Sequence, residues 1–190
     1  MTERDYKIFL DLPTLKTERL TLRRIKKSDL LDIYEYASSP LVSEYLLWSP
    51  HPNISHTKDY LSNLINKYKK GKIYDFGIEY EGKLIGTVGF SALDTTNNTA
   101  EIGYVLSDKY WGLGIGFEAA KKILDFGFRT LILQRIEARY MAENIKSKLL
   151  AQKLGMKEEG VLRSYIFCKG KYRDIGVSSI LKEEFFRQEN

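Results

Sequence analysis

Cysteine and histidine are scarce in this chain of 190 residues, which has one cysteine and two histidines. The single cysteine, Cys168, excludes an internal disulfide and a multi-cysteine metal cluster. The two histidines, His51 and His56, have no carboxylate or thiol at ligand spacing, so we predict no metal site. No run of about eighteen apolar residues and no secretory h-region occurs. We therefore expect no membrane segment and a cytoplasmic protein.

The composition is that of a folded protein, with 43% hydrophobic and 29% charged residues. A chain of this length normally forms one domain, and we predict a single domain over residues 1–190. The formal net charge of +5 is mild. Its densest basic group is Lys67, Lys69, Lys70 and Lys72, which could meet nucleic acid or an acidic partner. The solvated end of a helix is the better interpretation, so we predict no specific nucleic-acid partner.

Hydrophobic periodicity divides the chain into strands and helices. The pattern predicts a first strand, two helices, a three-stranded meander, a strand-helix-strand unit and a last hairpin. The predicted strands are 18–25, 74–80, 83–93, 99–107 and 134–140, plus two within 160–182. The predicted helices follow caps at Ser28 or Asp29 and at Ser55 or Thr57, and then span 118–131 and 144–154. This order indicates one α+β domain around a mixed sheet.

Three glycines alternate between a predicted strand and a predicted helix, at Gly112, Gly114 and Gly116. Missing side chains let backbone amides approach a phosphate, and a helix N-terminus favours negative charge. No Lys-Ser or Lys-Thr pair follows, and the spacing is not that of a dinucleotide fold, which argues against nucleoside triphosphates and NAD. The turn therefore suggests an anion site, although a tight turn without a ligand would also explain three glycines.

At this turn the chain resembles the GNAT superfamily of acetyltransferases. Gly114 and Gly116 match its signature, and Trp111 stands where that signature has Gln or Arg, as in the RimJ/RimL-like branch that acetylates N-terminal amines of ribosomal proteins. Motifs in the family's order extend the resemblance from about residue 12 to 185, at 17–23, 100–104, 144–160 and 170–174. The resemblance implies a mixed, mostly antiparallel twisted sheet of about six to seven strands with about four helices. It also implies a splay between the family's fourth and fifth strands.

The resemblance implies acetyl-coenzyme A as cosubstrate, held chiefly by backbone groups. The main chains of Val105 and Leu106 would bond the pantetheine arm. The pyrophosphate would lie on the turn formed by Trp111, Gly112, Leu113, Gly114, Ile115 and Gly116. Asn144 would hydrogen-bond the pantetheine or the acceptor, with Ser147 supporting the cofactor nearby. A plain helix cap is the alternative interpretation of Asn144.

In this family an amine attacks the thioester directly, so no protein nucleophile is needed. We therefore expect Cys168 to be a packed hydrophobe. Glu101 is the candidate base because it lies on the pleat face opposite its apolar neighbours, although a solvated strand face is an equal alternative. Asn144 is the second candidate catalytic residue. Ala151 occupies the place of the family's usual tyrosine acid, which Tyr165, Tyr172 or water could replace.

The sequence says less about the amine acceptor than about the acetyl donor. Tyr45 and Trp48 are candidate wall residues, because the family builds that wall from its first helices; a local hydrophobic cluster would explain them equally well. Three functions stay open: acetylation of a protein or peptide N-terminal amine, acetylation of a small molecule such as a polyamine, amino acid or aminoglycoside, and non-enzymatic coenzyme A binding or ribosome docking. A homodimer is possible in each case, since dimers are common in the family.

Overall fold

The computed structural model describes residues 9–71 and 74–188. In these residues the chain forms eight strands and six helices, together with short 3-10 turns at Lys27–Asp29 and Asp108–Tyr110. The strands are β1 Leu15–Lys16, β2 Leu20–Arg23, β3 Tyr74–Tyr80, β4 Lys83–Asp94, β5 Thr99–Leu106, β6 Arg135–Met141, β7 Lys157–Cys168 and β8 Lys171–Leu181. The helices are α1 Leu30–Ala37, α2 Pro40–Ser43, α3 Ile54–Lys69, α4 Ile115–Arg129, α5 Ile145–Lys153 and α6 Lys182–Arg187.

All eight strands belong to one sheet in the order β1-β2-β3-β4-β5-β6-β8-β7. Neighbours pair antiparallel except β5 and β6, which run parallel because α4 connects them. Their ladder is short and ends at the pair Ile102 and Ala138, although β5 continues to Leu106 and β6 to Met141. The two strands therefore splay apart beyond Ile102. We call the last pair of this ladder the vertex of the splay.

Helices cover both faces of the sheet. On the first face, α4 lies so close to β6 that a Cβ atom at Gly127 would lie 2.7 Å from Cδ1 of Ile136. On the opposite face, α1 and α3 cover β3 and β4, and the Tyr68 hydroxyl of α3 donates to the backbone oxygen of Asp75 at 2.7 Å. The part of this second face around β5, β6, β8 and β7 carries mainly polar side chains. We call it the open face.

The predicted fold class and the splay are confirmed, and the predicted helix starts need correction. Neither Ser55 nor Thr57 caps α3, because Asn53 Oδ1 accepts the amide of His56 at 3.0 Å. The helix predicted from residue 118 begins at Ile115, since Gly114 takes a left-handed conformation that already turns the chain. The strand and helix counts exceed six to seven and four because the short elements β1, α2 and α6 were not predicted.

Three expectations from the sequence can be compared with the described residues. Lys67, Lys69 and Lys70 are exposed at the end of α3, whereas Lys72 lies outside the described residues. Among the described helices, none is long and apolar enough to cross a membrane. Within residues 9–71 and 74–188, no group of three or more His, Cys, Asp or Glu side chains is placed to hold a metal ion.

Candidate active site

The glycine turn leaves backbone amides free at the start of α4. Gly112 and Gly114 have φ of +79° and +76°, a region that side chains disfavour. The first hydrogen bond of the helix runs from the Glu118 amide to the Gly114 carbonyl at 3.0 Å. The amides of Ile115 and Gly116 therefore precede the first helical bond and have no acceptor within the helix. With the positive end of the helix dipole, they form a site for an anion.

Arg19 holds this turn in place, a role that sequence reasoning missed. Its guanidinium donates to the Leu113 carbonyl at 3.1 Å and, through Nε, to Glu118 at 2.7 Å. Because a trans peptide directs its carbonyl and amide oppositely, the amide of Gly114 points away from Arg19. Burial opposes ionisation of Glu118, but hydrogen bonds from Thr17 and Arg19 outweigh it and hold its pKa below the usual range. The only sequence signal was the motif 17–23, about a hundred residues before the turn.

Trp111 attaches the glycine turn to the end of β5, beside the splay. Its indole Nε1 donates to the backbone oxygen of Leu106 at 2.9 Å, so the side chain that replaces Gln or Arg is fastened to the end of β5. On the other side of β5, a Cβ atom at Gly86 would lie 2.2 Å from the Val105 oxygen, which shows how closely β4 approaches there. Val105 and Leu106 thus lie on the part of β5 that borders the splay.

The start of α5 flanks the other side of the splay. Asn144 is the helix cap, as the alternative interpretation had it, and its Oδ1 accepts the Ser147 amide at 3.1 Å. The Ser147 carbonyl in turn accepts the Tyr104 hydroxyl of β5 at 3.5 Å. Capping and a cofactor contact are compatible, because the cap uses only the side-chain oxygen. The structure therefore brings Asn144 and Ser147 beside β5, where the resemblance placed the cofactor.

Two lysines of α5 also face the glycine turn and were not foreseen. Lys146 Nζ lies 3.8 Å from the ring centroid of Trp111, and Lys153 Nζ lies 4.7 Å from that of Phe117. These cation-π contacts place two positive charges beside free helix amides. The only sequence signal was their position in the helix after Asn144. They strengthen the case that this end of the splay binds a polyanion.

Glu101 lies on the open face, one residue before the vertex. Its Oε1 accepts the Ser91 hydroxyl at 2.7 Å, and its Oε2 lies 3.5 Å from Nε of Arg139. Arg139 also binds Glu137 at 2.9 Å. The Glu101 side chain is 28% exposed, so it is held by partners yet reaches solvent. A carboxylate in this setting can accept a proton from an amine at the vertex, directly or through water.

The candidate proton donors lie in different places. Tyr165 lies in the Glu101 cluster, where its hydroxyl accepts from Arg139 at 3.3 Å. Tyr172 packs against Phe167 at 5.2 Å, at the far end of the β7-β8 hairpin. Ala151 is buried in α5 and carries no acid. Of the two tyrosines, Tyr165 is therefore the one close to the candidate base.

Cys168 occupies a small apolar cluster with Met141 and Ile175. It is buried, and its thiol lies 3.8 Å from the Leu46 carbonyl. This is the setting expected for a packed hydrophobe.

The two predicted wall residues separate in the structure. Tyr45 packs on the cluster of Met141, Cys168 and Ile175, at the end of β6 where the splay opens. Trp48 instead stacks near His51, with ring centroids 5.5 Å apart, and packs against the main core. Tyr45 thus borders the splay, whereas Trp48 belongs to an aromatic cluster over α3.

Comparison with known proteins decides the family. The family model described as "Acetyltransferase (GNAT) domain" matches residues 19–157. The chain belongs to this family. The GNAT match includes the glycine turn, the vertex and the start of α5, so the site described above lies within it. The chain is therefore an acetyl-coenzyme A-dependent N-acetyltransferase, with the RimJ/RimL-like features that Trp111 indicated.

Three relatives show the range of this acetyltransferase's neighbours. It is 38% identical to an uncharacterized N-acetyltransferase, p20, of Bacillus licheniformis over 92% of this chain and 99% of the relative. It is 30% identical to the [ribosomal protein uS5]-alanine N-acetyltransferase of Escherichia coli K12, covering 84% and 86%. It is 25% identical to the spermidine N(1)-acetyltransferase of the same organism, covering 88% of each chain.

Solved structures share the fold of this acetyltransferase. A GNAT acetyltransferase from Bacillus anthracis superposes with a TM-score of 0.80 at 28% identity, over 90% of this chain and 99% of the other. The microcin C7 self-immunity acetyltransferase MccE, solved with acetyl-CoA and AMP, has a TM-score of 0.78 at 25% identity, covering 87% and 93%.

Proposed function

We propose that this acetyltransferase modifies the N-terminal amine of a protein or peptide. The observation that carries the proposal is the position of Glu101, a partly exposed carboxylate one residue before the vertex and on the open face. An acceptor chain end can reach this carboxylate without entering a deep pocket. The relative that acts on ribosomal protein uS5 supports the same acceptor class.

The donor side follows from the free amides of the glycine turn. In the proposed arrangement the turn from Trp111 to Gly116 binds the pyrophosphate, and Asn144 and Ser147 border the arm. An extended arm that starts at the turn and follows β5 backwards past Leu106 and Val105 ends at the vertex. There its thioester would face the open face, next to Glu101. The amides fit this role because they lack acceptors in the helix.

An N-terminal amine suits a site with a single modest base. An α-amino group has a pKa near 8 and is about one-tenth neutral at pH 7, whereas a lysine side chain is neutral to less than about one part in a thousand. Glu101 would take the proton that the attacking nitrogen loses, while Ser91 and Arg139 keep the carboxylate oriented. Asn144 would orient the acceptor or the arm. The departing thiolate would take a proton from water or from Tyr165.

A small-molecule amine is the second candidate, favoured by a specific observation. Asp75 provides an unpaired carboxylate on the face that α1 and α3 cover, and a spermidine acetyltransferase is among the relatives. A small polyamine would need such carboxylates, since it carries several positive charges. The first candidate has priority because the open face admits a chain end.

The deciding experiment compares cells with and without this protein by mass spectrometry of protein N-termini and of small amines. The proposal expects one or more N-termini whose acetylation disappears with the protein and returns with it. Loss of an acetylated polyamine alone would establish the second candidate. No change in either pool, while the purified protein still binds acetyl-coenzyme A, would contradict both.

We also propose a homodimer and a cytoplasmic location. Strand β7 forms the last edge of the sheet and exposes apolar side chains, including Leu162 and Phe167. An exposed strand edge of this kind favours pairing with a second copy. Light scattering of the purified protein tests the dimer, and a mass of one chain would contradict it.

A further inference from the structure

Asp75 occupies an unusual place on the face of the sheet that α1 and α3 cover. It lies near the start of β3, opposite Gly89 of β4, which in turn lies opposite Gly103 of β5. Gly103 directly follows Ile102, so it is the first residue of β5 beyond the vertex. One cross-strand row therefore joins Asp75 to the point where the thioester would lie.

The row between these residues carries no side chains. A Cβ atom at residue 89 would lie 2.2 Å from the Tyr74 carbonyl oxygen and 2.8 Å from Oδ1 of Asp75, so only glycine fits. A Cβ atom at residue 103 would lie 3.6 Å from Cβ of Ser91, the serine that binds Glu101. Bare backbone thus separates Asp75 from the Ser91 and Glu101 pair. The backbones of Asp75 and Gly103 are two strand spacings, about 10 Å, apart, and the Asp75 carboxylate extends over Gly89 toward Gly103.

The Asp75 carboxylate has no hydrogen-bond or ion-pair partner among the residues that the structure describes. The Tyr68 hydroxyl beside it donates to the Asp75 backbone oxygen instead of the carboxylate. Burial raises the pKa of Asp75 to about 6, and the charge of Lys67 opposes this only in part. The buried carboxylate of Asp29, by contrast, pairs with Arg23 at 2.8 Å. Asp75 is itself only partly buried, so its unpaired carboxylate is accessible to a ligand.

The charge of Asp75 acts on three tyrosines. Burial, and then the charge of Asp75, raise the pKa of Tyr60 to about 12. Tyr36 and Tyr68 experience the same charge. A carboxylate without a partner suits an ammonium group, because its oxygens accept the N-H donors of the cation.

We propose that Asp75 is a specificity residue that binds a second ammonium group of the acceptor, within about 10 Å of the nitrogen that is acetylated. This inference rests on the proposed function, since it places the reacting nitrogen at the vertex. The acceptor then lies over Gly103, with Glu101 next to its reacting amine. Asp75, whose carboxylate lies over the buried Gly89, is next to its remote cation. A polyamine and a peptide with a lysine near its N-terminus both carry this chemistry.

The test measures binding by calorimetry to protein saturated with coenzyme A, so that it does not depend on turnover. The probes are spermidine, a peptide with lysine after its first residue, and the same peptide with norleucine in place of lysine. The variant is Asp75→Asn. Its matched control is Asp59→Asn, an exposed carboxylate of α3. Coenzyme A affinity is measured for each variant to verify that the donor site is intact.

The proposal expects Asp75→Asn to weaken spermidine or the lysine peptide by about tenfold or more, a loss of about 1.4 kcal/mol, and to leave the norleucine peptide and coenzyme A unchanged. Asp59→Asn should change none of them. The proposal is overturned if the wild type binds neither cationic probe, if Asp75→Asn binds them unchanged, or if it loses the norleucine peptide equally. Release of free coenzyme A from acetyl-coenzyme A with any amine acceptor separately tests the proposed function.

Discussion

The glycine turn and the open face around Glu101 are built in opposite ways. The turn uses backbone amides at the start of α4, and one distant side chain, Arg19, holds its carbonyl. The open face uses side chains from three strands, with Ser91, Glu101 and Arg139 in one cluster. A backbone site depends on local conformation, whereas a side-chain site depends on register between strands. The donor is therefore the easier half of the reaction to predict from a single sequence.

The largest expected effect is the loss of acetyl-coenzyme A binding when the glycine turn is changed. The experiment separates this loss from the strain that any side chain causes at a positive φ. Gly114→Leu should weaken acetyl-coenzyme A binding by about a hundredfold or more, because a side chain at φ +76° distorts the turn and covers its amides. Calorimetry measures the affinity of each variant for acetyl-coenzyme A. Gly82→Leu is the matched control, since Gly82 has φ +78° and nothing within 4 Å of its absent Cβ. Equal losses in the two variants would show that strain alone is responsible.

The second prediction separates the candidate base from its neighbour in the sheet. Glu101→Gln should lower kcat by about a hundredfold or more without changing cofactor affinity, because it removes the proton acceptor at the vertex. Glu137→Gln is the control, since Glu137 lies opposite Glu101 in register and also binds Arg139. Steady-state kinetics with one amine acceptor decides the point. A comparable loss of kcat in Glu137→Gln would assign the effect to the ion-pair cluster.

A third prediction concerns the free energy of unfolding, which tests whether the charge of Asp75 destabilises the fold. The pKa of Asp75 is raised from 3.8 to about 6, so the folded state holds this proton more tightly than the unfolded state. Ionisation therefore costs stability as pH rises from about 4 to above 6. Asp75→Asn should stabilise the protein by up to about 3 kcal/mol at pH 8 and by almost nothing at pH 4. Urea unfolding at the two pH values measures this.

Asp94→Asn is the control of opposite sign for the Asp75 experiment. Hydrogen bonds from Asn97 and its backbone amide lower the pKa of Asp94, so its charge favours the folded state above its unfolded pKa. Its replacement should cost a little stability at pH 8 and nothing at low pH. A destabilised Asp75→Asn protein at pH 8 would show that Asp75 is a structural residue, and would remove the argument for a ligand.

The smallest expected effect concerns the support of the turn. Arg19→Ala should weaken acetyl-coenzyme A by about tenfold, because the Leu113 carbonyl is released while the amides stay in place. Arg187→Ala, which breaks an exposed ion pair with Glu183, should leave affinity unchanged. The affinities of both variants for acetyl-coenzyme A test whether Arg19 supports the turn. An unchanged Arg19→Ala would mean that the glycines hold the turn without help.

The outcome for particular residues shows what a sequence can predict. Gly114 was recognisable because its conformational freedom is a property of the residue itself. The splay between the family's fourth and fifth strands followed from the resemblance, and the structure shows it with the vertex at Ile102. Arg19 was within a noted motif, yet its bond to Leu113 spans 94 positions, and no local pattern signals such a contact.

Asp75 gave no signal at all, because its significance depends on strand register and on the helices above it. Trp48 shows the converse case. The family resemblance suggested that it forms one acceptor wall with Tyr45, but the two side chains pack in different clusters. Residues close in sequence need not share a site when their side chains point into different parts of the structure.

Transfer of a labelled acetyl group tests the central claim most directly. Purified protein is incubated with isotope-labelled acetyl-coenzyme A and a peptide library with free N-termini, and mass spectrometry locates the label. The account predicts label on the α-amine of a subset of peptides, lost in Glu101→Gln and retained in Glu137→Gln. Label confined to lysine side chains, or no label on any peptide, would contradict it.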